Sequence, residues 1–413
     1  MAKKAEVSAT TAKAFIKSID KLPLSQQRKI IAPLEQLLKT PKTKAIKDIA
    51  LIHEYSQNIS NGPRLVTHID EDGLVSAVIM CAVNPDKYVE IIYTEYNAIN
   101  DGKFTFLPSD DVVDLPQPRN PKLDKEGNPL RNDSGVIFEE IVTNFWADHH
   151  ETGDRGEYPG DHVYDPKSPS CASLLYNHFL QKEPTLKRFK ELIDATDMVD
   201  SASYKTPDDP YNLDNPAVLL RLMLTNSRRQ KDLSPGFRER LIREIADKKN
   251  DSWEKVRKAL YNPVVVAIAK DALAEFEIYR EYIRPFIKSE HGVTTKIEDE
   301  KRPFNLGIKD RFYPQKLYPD NLFLLECWKN LDSSYSISIS ENPFSKDKQG
   351  KSLSQLLLGE ELQKIVLKFT GSPDAGGHKG IGMYQKLQPD KRDAVISACK
   401  ELLFEETKRL GRY

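Results

Sequence analysis

The chain has 413 residues, 30% charged and 39% apolar, with a formal net charge of -1, which gives room for about two or three domains with an ample core. A charge this near zero excludes a protein that holds long duplex nucleic acid by bulk positive charge. Cys81, Cys171, Cys327 and Cys399 are too far apart for a CxxC site or a disulfide framework, and no apolar run is long enough to span a bilayer. The expectation is a protein of a reducing, cytoplasmic setting with no membrane partner. Charge is uneven: residues 1–62 carry +6 and the remainder -7. The basic end reads as a solvated helical face rather than a nucleic-acid contact.

In chain order, residues 11–58 show helical periodicity (Phe15, Ile16, Ile19; Ile30, Ile31, Leu34, Leu37, Leu38; Ala45, Ile46, Ile49), punctuated by Pro23 and Pro41. This predicts a helical N-terminal extension over 1–62. Next comes Arg64-Leu65-Val66-Thr67-His68-Ile69-Asp70-Glu71-Asp72-Gly73, read as a short strand, a turn at Gly73 and a helix over 74–83. On extended backbone the two-residue spacing of His68, Asp70 and Asp72 places all three side chains on one side. Strand-like segments follow at Tyr88–Tyr93, Val112-Val113 and Asn144–Ala147, with a helix over 171–181 capped by Ser170. This alternation predicts an α/β fold with a parallel sheet over 63–204, holding ligands at the carboxyl ends of its strands. Residues 117–137 read as a polar loop insertion. Residues 205–300 form a helical linker region, and 301–413 a smaller α/β C-terminal domain. Strand segments are expected there at Tyr335–Ser340 and Ile365–Phe369, then a Gly-rich loop over 371–380 and a helix over about 389–410.

The chemistry lies in clusters that each follow an apolar segment: His68/Asp70/Asp72, Asp114, Asp148-His149-His150 and Asp194/Asp197/Asp200. Crowded carboxylates cost free energy unless cations fill the space between them. Asp70, Asp72, Asp114 and Asp197, with histidines, suit a pair of divalent first-row ions such as manganese. Two such ions ~3.5–4 Å apart activate water and steady both oxygens of an in-line displacement.

The ordered set His68-x-Asp70-x-Asp72-Gly73 with Ser76-Ala77, Asp114 in a Val-Val-Asp context, Asp148-His149-His150, Asp197 and the late Gly376-Gly377-His378 resembles the DHH phosphoesterase superfamily. That superfamily includes RecJ-type exonucleases, oligoribonucleases, cyclic dinucleotide phosphodiesterases and family II pyrophosphatases. The resemblance covers roughly 64–204 and 330–385. It implies a two-manganese phosphohydrolase, magnesium being an alternative ion, with a catalytic domain and a smaller substrate-binding domain facing each other across a cleft. It further implies metal ligation by His68, Asp70, Asp72, Asp114, His149 and Asp197, with Asp114 bridging and Asp148 orienting the histidines. His150 would face the substrate phosphate, and Gly376, Gly377 and His378 would contact substrate, the glycines by close backbone approach. Asp194 and Asp200 stay outside the ligand set. The longer His-x-x-x-Asp-x-Asp spacing and Arg-Lys-Lys run of the pyrophosphatases are absent, and Ser338 and Ser340 stand where many relatives carry an arginine. The expected substrate is a short single-stranded oligonucleotide or a dinucleotide, cut to mononucleotides. The alternatives are a cyclic dinucleotide phosphodiesterase and a non-catalytic nucleotide-binding or scaffold protein. A homodimer is compatible with either.

Overall fold

The computed structural model describes residues 62–132, 135–150, 156–227, 236–298, 308–346, 353–372, 375–378 and 381–412. The expected N-terminal helices lie outside the described residues. The chain divides into two compact units, Met1–Thr196 with Leu233–Leu260, and Asp197–Asp232 with Tyr261–Tyr413.

In the first unit, β1 (Arg64–His68) leads into helix α1 (Glu71–Val83), followed by β2 (Glu90–Thr94), the short α2 (Tyr96–Asn100) and β3 (Asp111–Val113). The stretch read as a polar loop contains three short strands, β4 (Arg119–Pro121), β5 (Arg131–Asn132) and β6 (Gly135–Val136), and β7 (Phe138–Glu140) follows it directly. They pair as β4 with β7 and β5 with β6. After them come β8 (Phe145–Asp148), β9 (His162–Tyr164), α3 (Cys171–Leu180) and α4 (Lys190–Asp200), which runs past Thr196 into the second unit.

The main sheet is wholly parallel, in the order β2-β1-β3-β8-β9. A parallel sheet is covered on both faces, which is why its centre is apolar without alternation. Leu65, Val66, Val112, Val113 and Ala147 have no exposed surface. Helix α1 is buried from Glu71 to Ala82, consistent with a sequence that is apolar all round rather than striped. Asp70 starts it, its side chain accepting from Gly73 N at 3.0 Å. Ser170 caps α3 as expected, accepting from Ser173 N at 3.0 Å.

The chain continues through α5 (Pro216–Ser227), α6 (Gly236–Ala246), α7 (Trp253–Leu260) and α8 (Pro263–Ile283). Of these, α6 and α7 belong to the first unit, where α6 packs on α1. In the second unit α5 packs on α8. Then follow β10 (Ile287–Glu290), β11 (Val293–Glu298), α9 (Tyr313–Leu317), β12 (Phe323–Lys329), β13 (Tyr335–Glu341), α10 (Leu358–Thr370), β14 (Gly376–His378), β15 (Ile381–Leu387) and α11 (Pro389–Arg409). The strands form one sheet in the order β10-β11-β12-β13-β15-β14. One sheet face, carrying Phe323, Leu325, Ile337 and Ile339, shares a core with Leu358, Leu362 and Val366 of α10 and Val395 and Leu403 of α11. The other face holds a buried charge pair, Lys296 with Glu326, and Tyr279 Oη lies 3.2 Å from Lys296 Nζ. The neighbouring glutamates outweigh burial and raise the ammonium above its ordinary range.

Two expectations need correction. Ile365–Phe369 is not a strand but part of α10, because Leu358, Leu362 and Val366 recur every four residues and are fully buried on one helical face. Nor do His68, Asp70 and Asp72 share one extended segment. The strand stops at His68, Asp70 caps the helix and Asp72 already lies in its first turn. Among the described residues no helix is long and apolar enough to cross a membrane.

Candidate metal centre

Register places the cluster. Thr67 pairs with Val113 and Val113 with Ala147, so the residues that follow, His68, Asp114 and Asp148, emerge along one edge of the sheet. The helix and loops beginning there add Asp70, Asp72, His149 and His150. Asp114 sits immediately beyond β3 with φ +56°, a left-handed conformation that L-residues other than Asn and Asp seldom adopt. Its amide still reaches Ala147 O at 2.9 Å, so the chain turns without losing its tie to β8. Backbone strain of this kind gathers at functional sites.

Two groups of donor atoms share Asp114. His68, Asp70 and Asp114 form one and Asp114, His149 and His150 the other, with the donor atoms of each group within 4.8 Å of one another. His68 Nδ1 lies 2.6 Å from Asp70 Oδ2 and 3.9 Å from Asp114 Oδ2. His149 Nε2 lies 3.9 Å from Asp114 Oδ1 and 3.6 Å from Asp72 Oδ2. Asp72 is 1% exposed and accepts from the Cys171 and Ala172 amides at 2.7 and 2.8 Å, which anchors it to the N-terminus of α3. Ser168 O lies 3.1 Å from His149 Nδ1, and Asp148 Oδ1 lies 2.8 Å from His150 Nδ1.

The electrostatics match the geometry. Burial, aided by the negative charge of Asp70, raises the Asp72 carboxyl above its usual range in spite of His149. Desolvation opposes the charge of the half-buried Asp70 as well, but its hydrogen bond and attraction to His68 outweigh that and hold its carboxyl at about 2. Burial opposes the charged form of His150 too, yet Asp148 outweighs it and pushes the imidazole up. Carboxylates and imidazoles crowded around one nearly buried aspartate are a donor set that fits divalent cations, whose charge relieves the repulsion.

Asp197 lies in the last turn of α4 and opens the second unit, its carbonyl accepting from Ser201 Oγ. Gly376–His378 is a short strand at the edge of the second sheet, pairing antiparallel with Ile381–Met383. Sequence spacing does not disclose Tyr96. It follows the carboxyl end of β2, packs edge-on against His68 and His150 with centroids 4.8 and 5.4 Å away, and brings its hydroxyl to His150. The general rule that parallel sheets bind at their carboxyl ends is the one available pointer to it.

Gly73 fixes the turn beneath the cluster. A Cβ there would stand 2.4 Å from His68 O and 2.9 Å from Thr67 Oγ1. Gly73→Ala is therefore expected to cost about 1–3 kcal/mol in denaturant unfolding and to weaken metal binding by displacing His68 and Asp70. Wild-type values in both would show that the turn has slack.

No protein-family model matches the sequence. None of the curated proteins compared matches it either. Among solved structures, the pGpG-specific phosphodiesterase PggH from Vibrio cholerae aligns at 19% identity over 83% of this chain and 99% of that one, with a TM-score of 0.57. A DHH domain from the s1p family of ribosomal proteins aligns at 14% identity over 83% of this chain and 86% of its own, with a TM-score of 0.49. RecJ from Thermus thermophilus, in complex with Mn2+, aligns at 13% identity over 87% of this chain and 54% of its own, with a TM-score of 0.46. The first of these carries the comparison, and it concerns overall architecture alone. The chain shares its overall fold with that phosphodiesterase.

Proposed function

We propose that the protein is a metal-dependent phosphodiesterase that hydrolyses short single-stranded oligonucleotides to mononucleotides. The observation that carries this reading is the sharing of nearly buried Asp114 by two donor groups at one sheet edge, an arrangement suited to a pair of cations. His68, Asp70, Asp72, Asp114 and His149 would hold the ions, manganese or magnesium, and the sequence pattern adds Asp197. Bound there, the ions would supply a nucleophile from water at neutral pH and countercharge for a phosphoryl oxygen. Asp114 and His149 position that chemistry, and His150, the most exposed of the three histidines at 36%, is assigned to the substrate phosphate. The substrate role of Gly376, Gly377 and His378 rests on their motif and on a glycine backbone at a strand edge. Four buried cysteines without disulfides fit the proposed cytoplasmic setting.

PggH is named for a linear dinucleotide, so a linear dinucleotide is the first substrate to test, with a cyclic dinucleotide as the second reading. The test incubates manganese-loaded protein with linear dinucleotides, longer single strands, cyclic dinucleotides and pyrophosphate, and separates the products by chromatography. Mononucleotides from the linear substrates are expected. Turnover of cyclic dinucleotides alone would shift the assignment to the second reading, and no turnover by metal-loaded protein would leave a binding module.

A further inference from the structure

The segment that leaves the metal cluster after Asp114 runs Leu115-Pro116-Gln117-Pro118 into the β4–β7 ribbon, and all of it is buried. Two prolines, each with φ held near about -65°, make this a stiff link. It ends at a cavity of about 190 Å3 lined by Gln117, Pro118, Arg119, Phe138, Glu139 and Glu140. None of these residues belongs to the cluster, and all lie in the first unit.

Two routes along the chain place the cavity beside the cluster. Gln117 is three residues beyond Asp114, a span of at most ~11 Å. From the other side, helix α2 sets Tyr96 against His68 and His150 at its start and Asn100 at its end, about 6 Å further along. Asn100 Oδ1 accepts from Arg119 Nη2 at 2.9 Å.

The ribbon sorts its side chains by alternation. Asn120 is turned inward, where it exchanges hydrogen bonds with the backbone of Phe106 at 2.8 and 3.0 Å. Its neighbour Arg119 therefore takes the opposite face, and Glu140, directly across from Arg119 in register, shares that face. The Arg119 guanidinium lies 3.8 Å from the centroid of the Phe138 ring, which supports it along one wall of the cavity.

The volume is below the ~300–1,000 Å3 of sites that enclose a whole drug-sized ligand, so the cavity takes one flat ring system of a larger molecule. Guanidinium planes stack on nucleobases. A carboxylate only accepts, which suits the Watson–Crick edge of guanine, where N1 and N2 both carry protons. It opposes that edge of adenine, where N1 bears a lone pair. We propose that this cavity is a subsite for a guanine base of the substrate, with Arg119 as its stacking surface and Glu140 as the group that selects guanine over adenine. The proposal rests on the phosphodiesterase reading above, and base binding is measured separately from turnover.

The experiment is a calorimetric titration of Mn2+-loaded wild type, Arg119→Lys and Glu140→Gln with GMP and with AMP. The wild type should bind GMP about tenfold more tightly than AMP. Glu140→Gln, at an exposed position, should lose that preference by weakening GMP about tenfold and leaving AMP within about twofold. Arg119→Lys keeps the charge and loses the planar fork, so both nucleotides should weaken about tenfold. Mn2+ affinity should stay at the wild-type value in both variants, since neither residue is in the cluster, which also checks that they fold. Equal GMP and AMP affinities in the wild type, no binding of either, or unchanged GMP affinity in both variants would overturn the subsite. The expected pattern without turnover of any linear dinucleotide would overturn the assigned reaction and leave the subsite standing.

Discussion

Asp114→Asn is expected to lower kcat on a linear dinucleotide by on the order of 10³-fold or more while the protein stays folded. Asparagine is nearly the same size and, like aspartate, tolerates the left-handed backbone at φ +56°, so the turn beyond β3 survives. What disappears is the anionic carboxylate shared by both donor groups. No neighbour can replace it: Asp72 is committed to the amides of α3, Asp70 to His68 and Gly73, and Asp148 to His150. Removing one negative charge from a crowded, buried cluster should leave the metal-free protein at least as stable as wild type. Steady-state kinetics and thermal unfolding on the same preparation check both halves. A variant with the wild-type rate would remove Asp114 from the chemistry.

Chelation should have an equally large effect. Dialysis against a chelator is expected to reduce turnover to background, and added Mn2+ to restore it, because the cysteines are buried and none supplies a substitute nucleophile. Stability should move with it. A ligand held at a hundred times its dissociation constant stabilises the native state by about 2.7 kcal/mol, so the metal-loaded protein should unfold at a measurably higher temperature than the stripped one. Full activity in excess chelator after dialysis would contradict the metal-dependent reading.

Much of this site is legible in the sequence because its residues follow strands. In a parallel sheet the carboxyl ends lie side by side, so His68, Asp114 and Asp148, separated by tens of residues, are brought together by the register of Thr67, Val113 and Ala147 alone. Local detail is less legible. Asp72 reads as one of an extended triplet, yet Asp70 caps a helix and draws Asp72 into its first turn, where its carboxylate meets amides some hundred residues away. That tertiary contact has no local signature. Ile365–Phe369 misleads for a different reason. A short, mostly apolar run fits a strand or a helix equally well, and only the fourfold spacing of Leu358, Leu362 and Val366 separates the two. Tyr96 is invisible to motif reasoning because a single tyrosine after a strand carries no spacing, and its place in the cluster shows only in the two imidazoles packed around it. Strands β11 and β12 are equally hard to read. Their faces mix Thr294, Lys296 and Glu326 with apolar residues, and the Lys296–Glu326 pair that makes such a face tolerable exists only once the strands are paired.

The most direct test of the central claim is mononucleotide release from a linear dinucleotide by wild type and Asp114→Asn at one Mn2+ concentration. Release by the wild type, with the variant near background, is the predicted result. Equal rates in the two proteins, or no release by a wild type shown to hold its metal, would contradict it.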